Sequence, residues 1–156
     1  MYDAVVFGAA ASNFAALQAC DDIERAFRSG ADRFGFSEAL PDEQQTLREQ
    51  EMQDGHGGAL PPEMLPWFVD QQWFCDAVFA RATLNALDVT GGPIVVISGT
   101  GHARTDWGMP VYLTAAARNV AVLSIGQITG AQEAGTFDLW RVTDPINHPD
   151  PCAAFK

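Results

Sequence analysis

The alternation of apolar and polar residues predicts strands and helices in mixed order along the chain. Apolar runs rich in β-branched residues predict buried strands over residues 3–9, 93–98 and 120–126, and apolar–polar alternation predicts an edge strand over 136–144. Caps and helical spacing predict helices over residues 14–30, 40–55, 67–87 and 110–119. This order predicts an α/β fold, with a largely parallel sheet and flanking helices.

The predicted helix over residues 67–87 carries most of the aromatic residues of the middle of the chain. Three- and four-residue steps place six of its residues on one face, namely Phe68, Gln72, Cys75, Phe79, Ala82 and Ala86. Core packing explains most of these aromatic residues, but Trp73 and Phe74 point away from that face, so part of the aromatic surface is expected to face a partner or a flat apolar ligand. Cys75, in the middle of the apolar face, is typical of an inert buried thiol.

A loop with three ionisable residues follows the strand predicted over residues 93–98. Gly99 and Gly101 let a ligand approach the backbone, and His102 can ligate a metal or exchange a proton. Arg104 offers a planar fork for a carboxylate or phosphate. In a parallel sheet such a loop lies at the carboxyl end of a strand, where ligands bind. A plain turn, in which His102 and Arg104 neutralise local acids, is the alternative.

Composition narrows the function classes. The 156 residues fit a single domain, and the net charge of −11, from 20 acidic and 9 basic residues, argues against nucleic-acid binding. No apolar run is long enough to span a membrane, and no signal peptide is visible. Three cysteines, Cys20, Cys75 and Cys152, leave at least one thiol free in a monomer and form no CxxC pair.

Two further positions are candidates for a site. Gln72 and Asp76 are four residues apart, so they share a helix face that is otherwise apolar, and a polar pair there needs partners. A helix edge that touches solvent is the alternative. His56 lies in a loop rich in glycine and proline, His148 is weaker still, and the three histidines share no metal-ligand spacing.

The stretch IVVISGTGHARTDWGMPVYL, residues 94–113, resembles the C-terminal signature of the ChaN-like haem-binding family of the Tiki superfamily. Members show a Gly-Asn-Gly-His loop after an apolar strand, then an arginine, and then Gly-Val-Pro and leucine. Seven positions match, namely Gly99, Gly101, His102, Arg104, Gly108, Pro110 and Leu113. Gln72 and Asp76 match a Gln/Asp pair of the family helix, and HGGALPPEML at His56 resembles its histidine-containing loop.

The resemblance implies a haem-binding protein of bacterial haem or iron uptake or handling, which acts by binding rather than by chemistry. It implies haem contacts from His102, Arg104, Gly101, Gln72, Asp76, His56 and Tyr112, with His102 or Tyr112 as the nearest candidates for the axial ligand. His102 is also the candidate metal ligand. The family further implies a periplasmic or membrane-associated protein, with haem between the two subunits of a homodimer.

The departures from the family pattern keep two alternatives open. The family opens with a Gly-Glu-x-His strand that this chain lacks, so residues 1–156 are expected to form one N-terminally truncated domain. Trp73 and Cys75 stand where the family often has arginines, Thr100 where asparagine is usual, and Gly57 where relatives often have cysteine. A metal-dependent hydrolase of the Tiki type is one alternative. A degenerate domain that keeps the fold without a cofactor is the other.

Overall fold

The computed structural model describes residues 5–19, 22–130 and 135–145. Within them the helices are α1 (Asn13–Ala19), α2 (Ile23–Phe27), α3 (Asp42–Gly55), α4 (Leu65–Thr90), α5 (Thr100–Ala103) and α6 (Met109–Ala116). Short 3-10 turns cover Ala31–Phe34 and Pro62–Met64, and the strands are β1 (Ile125–Ile128) and β2 (Leu139–Val142). The order therefore mixes helices and strands, with helices in the majority.

The core lies on the helical side of the molecule, around α4. Helices α1, α2, α3 and α6 all contact α4, so the core is built around one central helix. The rings of Phe34, Phe36 and Phe74 surround Phe27 at centroid distances of 5.0, 4.9 and 6.2 Å. Arg81 donates to the Phe27 carbonyl and covers its ring, which closes the end of α2 onto α4.

The buried face of α4 is not the predicted face, although the two share Ala86. The fully buried residues are Val69, Trp73, Phe74, Asp76, Ala77, Val78, Ala80 and Ala86, whereas Phe68, Gln72, Cys75, Phe79 and Ala82 are only half-buried. The prediction that Trp73 and Phe74 form an outer aromatic surface is therefore wrong. Both pack into the core because helices contact α4 on more than one side.

The strand side is smaller than the predicted sheet. β1 and β2 form a parallel pair in the register Ile125↔Leu139 to Ile128↔Val142, which confirms a parallel pair that ends in an edge strand. The strand predicted over 120–126 begins only at Ile125, and β2 is exposed along its length rather than alternating. A largely parallel sheet is not seen in the described residues.

Residues 5–10 and 93–98 have no regular secondary structure and form no ladder with other described residues. Strand pairing depends on partners that are distant in sequence, so an apolar run does not by itself produce a strand. The helix predicted over 14–30 is two helices, α1 and α2. The predictions over 40–55, 67–87 and 110–119 are confirmed as α3, α4 and α6.

Several predictions fall outside the described residues. Cys20, Cys152 and His148 lie there, as do residues 146–156 and the start of the strand predicted over 3–9. Cys75 is a free thiol on α4, and burial, followed by the neighbouring Asp76 carboxylate, raises its pKa. Within the described ranges, no helix is long and apolar enough to cross a membrane.

Candidate functional site

The loop after residues 93–98 folds into one helical turn and then returns sharply. The amide of His102 donates to the Gly99 carbonyl at 3.1 Å, and this bond closes the turn that forms α5. The chain then doubles back at Gly108, where a Cβ would lie 2.7 Å from the carbonyl oxygens of His102 and Arg104. Only glycine fits so close to two backbone oxygens, so this position fixes the loop against α6.

His102 is attached to α4 through a buried carboxylate. Its Nδ1 lies 2.7 Å from Oδ1 of Asp76, and the Asp76 side chain is almost fully buried while that of His102 is 29% exposed. The imidazole also meets the ring of Phe79 edge-on at 5.0 Å. When Nδ1–H donates to the carboxylate, the lone pair of a neutral imidazole is left on Nε2. The contact therefore fixes the orientation of the His102 ring.

Asp76 is in an unusual electrostatic position. Burial raises its pKa to about 6, although the hydrogen bond and charge of His102 and the charge of Arg48 act in the opposite direction. Its second oxygen, Oδ2, is buried and has no donor in full hydrogen-bond geometry among the described residues, although the backbone amide of Met109 lies near the carboxylate and also lowers its pKa. An incompletely satisfied buried carboxylate costs stability and is more typical of a site than of a plain core position.

Arg48 and Tyr112 are buried in the core near Asp76. Arg48 on α3 is buried, and its guanidinium donates to the Tyr112 hydroxyl at 3.4 Å and to Gln44 at 3.1 Å. Burial raises the pKa of Tyr112 to about 12, although Arg48 lowers it. Tyr112 is thus a buried, protonated phenol that helps to hold a buried cation near Asp76.

Arg104 is already paired with two carboxylates. Its Nε and Nη2 donate to Asp106 at 2.9 and 2.6 Å, Nη1 donates to Glu51, and the guanidinium lies 3.8 Å from the centre of the Trp107 ring. Burial acts against the charge, but the bonds and charges of Asp106 and Glu51 dominate and raise the Arg104 pKa. The loop arginine therefore ties α3 to the loop.

The remaining predicted residues divide into two groups. Gln72 contacts the loop directly, since a Cβ on Gly101 would lie 3.1 Å from Gln72 Nε2. His56 instead ends α3: its Nδ1 lies 2.8 Å from the Met52 carbonyl, and its ring packs on Phe68 at 5.4 Å. The structure thus brings Gln72, Gly101, Asp76 and His102 together, whereas the recorded contacts of His56 are to Met52 and Phe68.

Two clefts border the loop. An apolar groove of about 750 Å³ lies between α4 and α6 on one side and residues 93–98 and 120–125 on the other, and its lining contains no charged residue. Ser98 and Ala103, on either side of the turn, are part of its wall. The second cleft, of about 410 Å³, is polar and is lined by Glu51, Thr100, Gly101 and Arg104 together with residues 127–129 and 136–137.

A metal centre made by protein ligands alone is not seen. Among the described residues, no three His, Cys, Asp or Glu side chains come close enough to hold one metal ion. His102 has one such neighbour, Asp76, which accepts from Nδ1.

Sequence reasoning missed Arg48, Glu51, Phe79 and Trp107 as parts of this site. Arg48 is the single basic residue of α3, in a helix that is otherwise mostly acidic and amide residues, and that contrast is the local signal for it. The contacts of Glu51 and Trp107 with Arg104 depend on how α3 and the loop fold together, which residue spacing does not reveal.

Residues 6–113 match the protein-family model described as "Haem-binding uptake, Tiki superfamily, ChaN". The matched range contains Gln72, Asp76, His102, Arg104 and Tyr112, and it ends before residues 120–125, 127–129 and 136–137 of the two clefts. No curated protein and no solved structure matches the chain.

Proposed function

Because the chain belongs to the haem-binding uptake family of the Tiki superfamily, ChaN, we propose that it binds haem in haem or iron uptake or handling. The observation that carries this proposal is the 2.7 Å contact of His102 Nδ1 with the buried Asp76. Histidine is a common axial ligand of haem iron. A carboxylate that accepts a hydrogen bond from the other ring nitrogen is the usual means of orienting a histidine that ligates a metal.

The donor chemistry fits the cofactor. Nε2 of His102 keeps its lone pair when Nδ1–H donates to Asp76, and the ring is partly exposed. Tyr112, the other candidate ligand, is buried with a pKa raised to about 12. A tyrosine ligand binds iron as tyrosinate, so we assign the iron to His102 and give Tyr112 a supporting role beside Arg48.

The apolar groove provides a place for the macrocycle. Its volume of about 750 Å³ lies in the range of about 300–1,000 Å³ of small-molecule sites. Its uncharged wall, formed by α4, α6 and residues 93–98 and 120–125, suits the faces of a porphyrin. Ser98 and Ala103 of this wall lie next to the His102 turn, and His102 itself lies outside the lining. When bound, haem would supply an iron that accepts the imidazole, while the chain orients the ligand and excludes water from the ring.

Arg104 is the cation of the loop that could bind a haem carboxylate, but Glu51 and Asp106 already pair with it. A propionate would have to replace one of these carboxylates, in a chain whose net charge is −11. The same pairing favours a second reading, a domain that keeps its fold without a cofactor, and the experiment must separate the two.

The proposal includes the cellular location that the family implies. Haem uptake and handling by exported or membrane-associated proteins takes place in the periplasm or at a membrane surface, and we propose this location for the chain. Fractionation of the native host, with an antibody against the chain, tests it; recovery of the chain in the cytoplasmic fraction alone contradicts it.

A hemin titration followed by visible absorbance tests haem binding. We expect a saturable Soret band for the wild-type chain and a weakened, shifted band for His102→Ala, because the iron loses its ligand. His148→Ala is the matched control, since it removes a histidine that has no role in the proposal, and its titration should equal the wild type.

Imidazole added to His102→Ala sharpens the assignment. If the iron binds Nε2, free imidazole should restore the wild-type spectrum of the variant. A variant with unchanged affinity and spectrum removes His102 from the site. No saturable band in the wild type supports the domain without a cofactor.

A further inference from the structure

The apolar groove begins beside the His102 turn. Ser98 and Ala103 belong to its lining at this end, and the hydroxyl of Ser124, another lining residue, donates to the Ala103 carbonyl. Arg104, which follows Ala103, already pairs with two carboxylates. The charge of the arginine at this end of the groove is therefore neutralised before any ligand binds.

The other end of the groove lies beside the last turn of α6. Asn119 and Val120 line the groove there, and the Val120 amide donates to the Ala117 carbonyl, just past the end of the helix, at 3.1 Å. Helix α6 thus runs along the groove, and from Met109 to Ala116 it rises by about 10 Å. We call the end at Asn119 and Val120 the far end.

Arg118 is an unpaired cation at the far end. It directly precedes Asn119, and it is exposed. Among the described residues it has no partner in an ion pair, a hydrogen bond from its side chain or a ring contact. Its planar guanidinium can bind a carboxylate through two parallel hydrogen bonds. Arg118 therefore offers what Arg104 has already given to Glu51 and Asp106.

Arg33 brings a second guanidinium to the same end. It lies in the 3-10 turn Ala31–Phe34, which packs on α6, and its Nη2 donates to the Ala116 carbonyl at 3.1 Å. That bond uses one of its several N–H donors, and the residue is exposed. Arg33 and Arg118 therefore both lie beside the last turn of α6.

Two acids lie near the far end along the chain. Asp88 follows the lining residue Leu87, and Asp32 precedes Arg33; both are exposed. Neither acid forms an ion pair with an arginine of the described residues. In a chain with a net charge of −11, two arginines that no acid neutralises form a local site for an anion.

The shape of haem matches the two ends of the groove. Its two carboxylate arms leave one edge of the ring, so both carboxylates lie in the same direction from the iron. We propose that Arg118 and Arg33 bind these two carboxylates, with the iron toward His102 and the carboxylate edge toward the far end. This inference rests on the proposed function, because it assigns the orientation of the ligand in the same groove.

The assignment also gives Arg104 a separate role. If the carboxylates lie at the far end, Arg104 keeps its bonds to Glu51 and Asp106 and goes on tying α3 to the loop. The neutralised charge of Arg104 then no longer argues against haem binding. The chain recognises the iron and the carboxylates with residues at opposite ends of α6.

Titrations with hemin and with hemin dimethyl ester test the proposal, because the ester lacks the two negative charges. Arg118→Gln should weaken hemin binding about three- to five-fold, as expected for a partly exposed ion pair. The double variant with Arg33→Gln should weaken it about ten-fold. Both variants should bind the ester like the wild type, since the ring and iron contacts are unchanged.

Arg141→Gln is the matched control. It removes the same charge from an exposed position on β2, which does not line the groove, so it should bind hemin and the ester like the wild type. Raising the NaCl concentration from about 0.1 M to about 1 M should reduce the difference between the wild type and Arg118→Gln, because salt screens the pair.

Protoporphyrin IX separates the carboxylates from the iron, because it has the same two carboxylates and no metal. Its binding, followed by porphyrin fluorescence, should weaken in Arg118→Gln by the same factor as that of hemin. The factor should persist in the His102→Ala background, where the iron ligand is absent. A dependence on Arg118 that disappears without iron overturns the proposal.

Equal hemin affinities of the wild type and the Arg33→Gln/Arg118→Gln double variant also overturn it. So does an equal loss for hemin and its ester, which would indicate a damaged ring site. A loss that is selective for hemin in Arg104→Gln, and not in Arg118→Gln, would place the carboxylates at the loop. Hemin binding without these selective effects contradicts this inference alone, whereas the lack of any saturable band in the wild type contradicts the proposed function and this inference together.

Discussion

The helical core of this molecule buries its apolar side chains, whereas the segments without regular secondary structure leave similar side chains partly exposed to water. Phe27 on α2 is 1% exposed inside a cluster of rings, whereas Phe7, in a segment without regular secondary structure, is 45% exposed. A helix satisfies its own backbone and needs only one buried stripe, so helices can form a core by themselves. A strand needs partners for its backbone and for both faces, and the described chain supplies few of them.

The largest expected effect is on the free energy of unfolding when a phenylalanine is replaced by alanine in the helical core, compared with the same substitution outside it. Phe27→Ala should lower the free energy of unfolding by about 3–5 kcal/mol, because it leaves a cavity among packed rings. Phe7→Ala should lower it by less than about 1 kcal/mol, because much of that ring is already in water. Urea unfolding of the two variants measures both values.

Equal losses for Phe7→Ala and Phe27→Ala would break the comparison. They would mean that residues 5–10 are packed in solution as firmly as α2.

The Asp76–His102 contact joins the helical side to the loop, and its pH dependence is the next effect in size. Burial raises the Asp76 pKa from 3.8 to about 6, so between these values the folded chain binds more protons than the unfolded one. The free energy of unfolding should then fall as pH rises through this window, by about 3 kcal/mol in total at 1.36 kcal/mol per unit.

Asp76→Asn isolates this contribution, because the amide cannot titrate. Unfolding curves of both proteins at several values between about pH 4 and pH 7 should show the wild type losing stability relative to the variant as pH rises. Parallel profiles would show that Asp76 has an ordinary pKa in the folded chain.

The smallest effect concerns the exposed ion pair of the loop. Glu51→Gln should change the free energy of unfolding by less than about 1 kcal/mol, because the Glu51 side chain is 47% exposed and Asp106 still holds Arg104. The difference should shrink in about 1 M NaCl, which screens the pair. A large and salt-independent loss would show that Glu51 has a structural role like that of Asp76.

The sequence predicts the helical part of this fold well and the strand part poorly. The bounds of α3, α4 and α6 follow from local spacing, proline and glycine, which act within a few residues. Residues 93–98 have the composition of a central strand, yet pairing depends on neighbours that are distant in sequence. Helical spacing does not predict the burial of Trp73 and Phe74. Their rings contact Phe36 and Phe27, respectively, and these contacts depend on residues that are distant in sequence.

The site was predictable only in outline. The spacing of Gln72 and Asp76, and the glycines around His102, place these residues near one ligand, and the structure brings them together. The neutralisation of Arg104 was not predictable, because Glu51 comes from a helix 53 residues away along the chain. Burial of Arg48 beside Tyr112 likewise depends on how α3 meets α6.

The bond between Asp76 and His102 spans 26 residues and connects α4 with the turn at α5. A molecule that binds His102 therefore needs both elements to be folded, because an unfolded chain does not hold His102 in the same geometry. By mass action, occupancy and folding then reinforce each other, and a ligand at one hundred times its dissociation constant adds about 2.7 kcal/mol. The abundance of the folded chain in the cell would thus rise and fall with the supply of its ligand.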